Sequence, residues 1–262
     1  MKDTKQETDF ERESRENITS YAADRNWSSA SNSWTSRAFS QRYMYNFFAL
    51  GRPIIQLPTD MVAIQELIWS TRPDLIIETG IAHGGSLVLS ASMLAMLDMT
   101  DAISDGRQMD PNKSNRKVLG VDIDIRAHNR TAIEAHPMSS RISMIQGSSI
   151  APEIVSQVHA FARDYNRIMV CLDSNHTHDH VLQELNAYAS LTSKDCYCVV
   201  FDTVIEDMPP DAFPDRPWGA GNNPKTAVWE FLKSHPEFEI DKSIHDKLQI
   251  TVAPDGYLRR VS

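Results

Sequence analysis

Leu75-Ile76-Ile77-Glu78-Thr79-Gly80-Ile81-Ala82-His83-Gly84-Gly85-Ser86 is the stretch that decides how this chain folds. Three branched apolar residues, bounded on the left by Arg72-Pro73-Asp74, read as a short buried strand. The glycine-bearing segment behind them runs into residues 86–99, rich in Leu, Met and Ala, which read as a helix. Working outward, Met61, Ile64, Leu67 and Ile68 recur at spacings of three and four and predict an amphipathic helix over 60–70. Downstream, apolar runs at 118–121, 142–145, 168–172 and 197–201 alternate with helical stretches at 127–135, 152–165 and 179–189. Short apolar strands alternating with helices require a parallel sheet covered on both faces. The polar segment 101–116 reads as a surface insertion. After Thr203 the rhythm breaks into a Pro-rich loop at 209–224, a helix at 226–233, and strands at 238–240 and 248–252 that close the sheet as an antiparallel C-terminal hairpin. The predicted fold is α/β, doubly wound, with a mostly parallel seven-stranded sheet.

Residues 1–52 differ in composition from the rest. Residues 1–40 are rich in Ser, Asn, Asp, Glu and Arg and read as a polar arm, mobile or packed on the body; 42–50 (RYMYNFFAL) turn aromatic and read as a helical segment. Tyr43, Tyr45, Phe47 and Phe48 could form a lid facing a substrate, but packing on the core or on a neighbouring subunit is the preferred reading. Residues 53–262 then form the main domain.

The 262 residues, 41% of them hydrophobic, suffice for a sizeable core. With 26 Lys and Arg against 35 Asp and Glu the chain carries a net charge of −9 and no dense basic stripe, so nucleic acid is excluded as the expected partner. No run of ~18 apolar residues is read, and residues 1–16 lack the apolar core of a signal peptide. A soluble, cytoplasmic protein without a membrane partner is the expectation. Cys171, Cys196 and Cys198 sit within apolar runs, in a number and spacing that suit neither a disulfide framework nor a zinc site, and read as small buried residues of strands.

In an open parallel sheet, ligands bind at the carboxyl ends of the strands. The first strand ends in Glu78 and the glycine turn, where Gly80, Gly84 and Gly85 would admit close backbone approach and Glu78 could accept hydrogen bonds from a ligand. The spacing is neither G-x-G-x-x-G nor a P-loop. The second strand ends in Gly120-Val121-Asp122-Ile123-Asp124, with Asp122 placed for ribose hydroxyls, although a solvated turn is the plainer alternative. The third ends in Gln146-Gly147-Ser148-Ser149, small and polar, suited to the adenine edge. These ends describe a nucleoside pocket without a phosphate cradle. The fourth and fifth end in Asp173-Ser174-Asn175-His176 and Phe201-Asp202, bringing Asp173 and Asp202 within reach of one hard cation, with His176 beside it as a base. The alternative is that Asp173 caps the next helix; His178 and His180 read as first-turn helix residues. Arg216, Trp218 and Gly221-Asn222-Asn223 read equally as a loop over this site, suited to a sugar, or as ordinary surface.

Taken together, IIETGIAHGGSLVLSASML, VLGVDIDIRAHNR, IQGSSIAPEI, LDSNHTHDHVLQEL, VVFDTVIEDMP and GNNPKTAVWEFL resemble the cephalosporin hydroxylase family, including its rhamnosyl O-methyltransferase relatives, from about Pro53 to the C-terminus. The resemblance implies the Rossmann-like S-adenosylmethionine (SAM) methyltransferase fold and an O-methyltransferase that uses SAM and a divalent cation, Mg²⁺. It implies a cofactor-binding set of Glu78, Gly80, His83, Gly84, Ser86, Asp122, Ile123, Ser148, Ser149 and Asp173. Within that set Glu78 and Gly80 face the methionine portion, Asp122 the ribose, and Ser148 and Ser149 the adenine. Asp173 and Asp202 would hold the metal, and His176 would be the general base. The acceptor implied is a sugar or a glycosylated natural product, and a homo-oligomer is expected. Where relatives commonly carry Glu-Asp, this chain has Phe201-Asp202; waters, or Glu206 or Asp207 bending back, would make up the missing oxygen. Two other readings compete. One is an Fe(II) hydroxylase using His176, His178 or His180 with a carboxylate, against which His-x-His at a helix start splays the rings. The other is a non-catalytic SAM-binding scaffold.

Overall fold

The polar start of the chain is helical. A computed structural model describes residues 7–262, so the reading of 1–6 as part of an arm lies outside the described residues. Thr8 and Glu11 form a capping box at the head of α1 (Asp9–Ala23), and the Asp24 carboxylate accepts from the backbone N–H groups of Asn26 and Trp27 at the head of α2 (Arg25–Ser40). No residue of α1 is buried, whereas α2 turns Ser31, Thr35 and Ala38 inward at helical spacing. The aromatic stretch is a 3-10 turn over Tyr43–Asn46, which buries Met44, followed by the antiparallel ribbon of β1 (Phe47–Ala49) and β2 (Arg52–Ile54).

The main body then alternates α3 (Pro58–Thr71), β3 (Leu75–Thr79), α4 (Gly85–Ser104), β4 (Lys117–Asp122), α5 (Ala127–Glu134), β5 (Ile142–Gln146), α6 (Pro152–Ala162), β6 (Ile168–Leu172), α7 (His178–Tyr188) and β7 (Tyr197–Val200). It ends with α8 (Pro224–Phe231), β8 (Phe238–Ile240), α9 (Lys242–Leu248) and β9 (Tyr257–Arg260). The seven-stranded sheet has the order β5-β4-β3-β6-β7-β9-β8; its first five strands are parallel and β9 runs antiparallel to both neighbours. Pleating sends Ile76 to one face, into a layer with Leu67, Ile68, Leu87 and Leu94, and Leu75 and Ile77 to the other, with Val158, Val181 and Leu185. Both faces are therefore buried, which is why the strands read as continuous apolar runs. The chain builds outward from β3 to β5 and then returns to β6, so the order reverses between β3 and β6, the point where such sheets bind ligands.

Three expectations are corrected here. The hairpin partner of β8 is β9, not 248–252: α9 occupies 242–248, and Thr251, Val252 and Ala253 form a buried loop whose apolar character reflects burial, not strand pairing. Helix α4 runs on to Ser104, into the segment read as loop. It is also long and apolar enough, with mean hydropathy 1.4, to cross a membrane by length and composition, which the sequence reading had denied. In this fold Leu87, Val88, Ala91, Leu94 and Leu97 of α4 are buried, which accounts for much of its apolar composition. The three cysteines are buried and free; Cys171 and Cys198 lie in β6 and β7 as expected, while Cys196 precedes β7 and is not in a strand.

Candidate active site

The turn after β3 is held by close protein contacts. Gly80 has φ +89°, and a Cβ there would lie 1.9 Å from the carbonyl oxygen of Asp173; Gly84, at φ +80°, has Ile133 Cδ1 2.4 Å from the same test position. The glycines thus serve an approach of protein to protein, Gly80 to the end of β6 and Gly84 to α5, where the sequence suggested an approach to a ligand. Asp122 Oδ2 accepts from the N–H groups of Ile81 (2.8 Å) and Ala82 (3.3 Å), and its Oδ1 accepts from Asp124 N–H at 3.0 Å. Asn129 donates to Ala82 O at 2.8 Å and Arg52 to His83 O at 2.6 Å, fixing the turn from outside. Glu78 is buried and accepts from the Ser86 hydroxyl; burial pushes its carboxyl up to about 7 against that hydrogen bond.

At the end of β5, Ser149 is buried, with Oγ 3.1 Å from His180 Nε2, and its carbonyl accepts from Tyr188 OH. Ser174 Oγ lies 3.2 Å from the same His180 nitrogen and donates to Glu184 Oε1 at 2.7 Å. Ser149, His180, Ser174 and Glu184 therefore form a partly buried network that ties β5 to β6 and α7, and the residue identities alone gave no sign of it. His178 points elsewhere, its Nδ1 2.8 Å from Thr226 Oγ1. The two rings are thus committed to different partners, and neither joins His176.

The centre of the site lies at the ends of β6 and β7. One ligand atom each from Asp173, His176 and Asp202 lies within 4.8 Å of the others, and His176 Nε2 is 3.2 Å from Asp202 Oδ2. Burial holds Asp173 well above the usual carboxylate range, reinforced by the charges of Asp202, Glu78, Glu184 and Asp60. Asp202 is also raised, by burial, with His176 acting in the opposite sense. This concentration of half-buried acid is short of positive charge, and two carboxylates with an imidazole beside them suit a divalent cation with a base next to it. Phe201 is buried in the core. The oxygen expected from Glu206 or Asp207 is not supplied. Glu206 accepts from Gly221 N–H at 2.7 Å and from the Asn223 amide, while Asp207 accepts from Lys225 Nζ at 2.6 Å.

A cleft of about 930 Å³ opens over this centre. Of the residues singled out in the sequence it brings together Gly80, His83, Ser86, Asp122, Asp173, His176 and Asp202. Glu78 lies buried behind Ser86, Gly84 and Ser149 are turned into protein contacts, and Ile123 and Ser148 stand outside the cleft, with Ile123 71% exposed. The Pro-rich loop does cover the site: the Trp218 ring meets the His176 ring edge-on at 4.8 Å. It is pinned by Glu206 to Gly221 and Asn223, and by Asn222, which accepts from His178 N–H at 2.9 Å. A further part of the wall comes from α2 and the 3-10 turn, through Ser36, Phe39, Arg42, Met44 and Tyr45. Of these the sequence had singled out Tyr45 alone, as a lid candidate. Asp60 was also missed; it is fully buried and accepts from Val252 N–H and Tyr257 OH, both at 2.9 Å, and from Thr251.

This chain is similar to known proteins. The family described as Rhamnosyl O-methyltransferase/CmcI matches residues 41–261. The rhamnosyl O-methyltransferase of Mycobacterium tuberculosis (strain ATCC 25618 / H37Rv) is 29% identical over 207 residues, covering 77% of this chain and 73% of the relative. The rhamnosyl O-methyltransferase of Mycobacterium leprae (strain TN) is 28% identical over 213 residues, covering 80% and 82%. Among solved structures, "cmcI-D160 Mg-SAM" has a TM-score of 0.51 at 18% identity, covering 83% of this chain and 78% of that one, a likeness of fold. Because the family match spans the parallel sheet, the glycine turn and the Asp173, His176, Asp202 centre alike, the chain belongs to the rhamnosyl O-methyltransferase/CmcI family.

Proposed function

We propose that this protein is a SAM-dependent, Mg²⁺-assisted O-methyltransferase that acts on a hydroxyl of a sugar or other natural-product acceptor. The observation that carries the reading is the Asp173, His176, Asp202 group at the point where the strand order reverses, beside the glycine turn. Membership of the family and the rhamnosyl O-methyltransferases among the relatives support it.

SAM, when bound, supplies an already activated methyl group, so what remains for the protein is to align and deprotonate an alcohol. Gly80, His83 and Ser86 line the cleft for the methionine portion, with Glu78 behind them as a buried acid that a ligand cation would stabilise in its ionised form. Gly84 keeps the turn closed. Asp122 fixes that turn and presents its carboxylate to the ribose; Ile123 and Ser148 stand just beyond it, towards the adenine end, while Ser149 is held by His180. Asp173 and Asp202 would hold the cation, which when bound would supply a lowered pKa for the acceptor hydroxyl. His176 takes the proton: its Nε2 faces Asp202, which orients the ring and stabilises the imidazolium that forms. Residues 53–262 carry this chemistry, and the segment before them walls the acceptor side.

The test is methyl transfer from SAM to monosaccharide and glycoside acceptors, followed as S-adenosylhomocysteine (SAH) formation with Mg²⁺ or with EDTA. Turnover that needs the metal and falls by about 10² or more in His176→Asn supports the proposal. Tight SAM binding without transfer to any acceptor, and without a metal effect, would favour the scaffold reading.

A further inference from the structure

The acceptor side of the cleft carries two guanidinium groups that the proposed chemistry does not use. Arg42 and Arg216 line it from two separate segments of the chain, and among the described residues neither side chain forms an ion pair or a hydrogen bond. By contrast, Arg52, beneath the same turn, is committed to His83 O and Asn129. Each free guanidinium is held over an aromatic ring: Arg42 lies 4.5 Å from the centroid of Tyr45 and Arg216 lies 5.1 Å from that of Trp218. Stacking of this kind leaves the in-plane N–H donors free to bind a ligand.

The two segments meet through matching turns. Arg42 N–H donates to Phe39 O at 2.9 Å and Arg216 N–H to Phe213 O at 3.1 Å, and the Phe39 and Phe213 rings touch edge-on at 5.9 Å. Each arginine thus follows by three residues a phenylalanine at the junction, which brings both to one end of the cleft. The other end is fixed by chemistry, since Trp218 joins His176 at 4.8 Å to Arg216 at 5.1 Å and so places the guanidinium within about 10 Å of the imidazole. That is the reach of a single sugar unit bearing a charged substituent. Asp211 also faces the cleft but pairs with neither arginine.

We propose that the acceptor is an anionic sugar, bearing a phosphoryl or carboxylate group that Arg42 and Arg216 bind while a sugar hydroxyl lies at His176. This inference rests on the methyltransferase reading and specifies its substrate class. In a protein of net charge −9, a neutral acceptor would leave these two exposed guanidinium groups of the cleft to water alone.

The test uses the full chain saturated with SAH and Mg²⁺, titrated calorimetrically with L-rhamnose 1-phosphate, D-glucuronate and methyl α-L-rhamnoside, in low salt and in 0.5 M NaCl (about 3 Å Debye length at 1 M, 10 Å at 0.1 M). We expect at least one anionic sugar to bind 10-fold or more tightly than the neutral glycoside, with an advantage that shrinks in high salt. In the Arg42→Gln/Arg216→Gln variant that advantage should be lost while SAH affinity is unchanged. Preference for the phosphate or for the glucuronate identifies which anion is read. Equal or tighter binding of the neutral glycoside, no binding of either anionic sugar, or an anion preference that survives in the double variant would overturn the inference. Failure of SAH itself to bind would instead overturn the methyltransferase reading on which it rests.

Discussion

Glu78 shows how a single buried acid can couple folding to ligand. Its carboxyl, pushed up to about 7 from an ordinary 4.5, keeps its proton in the folded chain where the unfolded chain has released it. The native state therefore binds more protons between those values, and stability falls as pH rises through that window. Glu78→Gln keeps an acceptor for Ser86 and removes the charge, so urea unfolding should show the variant more stable than the parent by about 2–3 kcal/mol at pH 8 and equal to it at pH 4. Parallel pH profiles would contradict this. At the proposed catalytic centre, Asp202→Asn should lower turnover by at least ~10² and weaken Mn²⁺ binding, read directly by loss of its free-ion electron paramagnetic resonance signal in the parent and retention in the variant. Asp173 and Asp202 were legible in the sequence because each stands directly after an apolar run, where sheet geometry forces convergence, and His176 because it follows Asp173 by three residues. Ser149 was not, because its partner His180 lies on another element and only the packing of α7 against the sheet brings them together.

Elements were legible in proportion to the regularity of their surroundings. The strands of the parallel core are buried on both faces, so their boundaries coincide with changes in polarity. The C-terminal hairpin lacks that signal: Arg259 and Arg260 of β9 are half-buried near the sheet edge, while the loop at Thr251–Ala253 is apolar because Asp60 holds it inside. The N-terminal helices were hidden by their polar composition, although Thr8 and Glu11 spell a capping box and Asp24 a helix cap. Asp60 ties α3 to the loop before β9 and to Tyr257, so Asp60→Ala should lower stability by about 2–4 kcal/mol, leaving buried donors without an acceptor. Asn223 caps α8 and binds Glu206, so Asn223→Ala should cost about 1–2 kcal/mol and loosen the loop that carries Trp218. Denaturant titrations measure both, and faster exchange of amide hydrogens at 216–222 in the Asn223 variant would locate the loosening.

At the scale of the molecule, the sheet converges acidic groups on a cleft, and residues of α2 and the 3-10 turn after it supply part of its wall. Composition and periodicity disclosed the sheet and its reactive end; they could not disclose that wall, since contacts such as Phe39 against Phe213 join parts of the chain far apart in sequence. The proposed function depends on a nucleoside pocket at the ends of β3 and β4. The most direct measurement is isothermal titration of the purified chain with SAM, with and without Mg²⁺, beside Asp122→Ala. One SAM bound per chain, with affinity lost or sharply weakened in the variant, is the predicted result. Absence of SAM binding in the parent chain under both conditions would contradict the account.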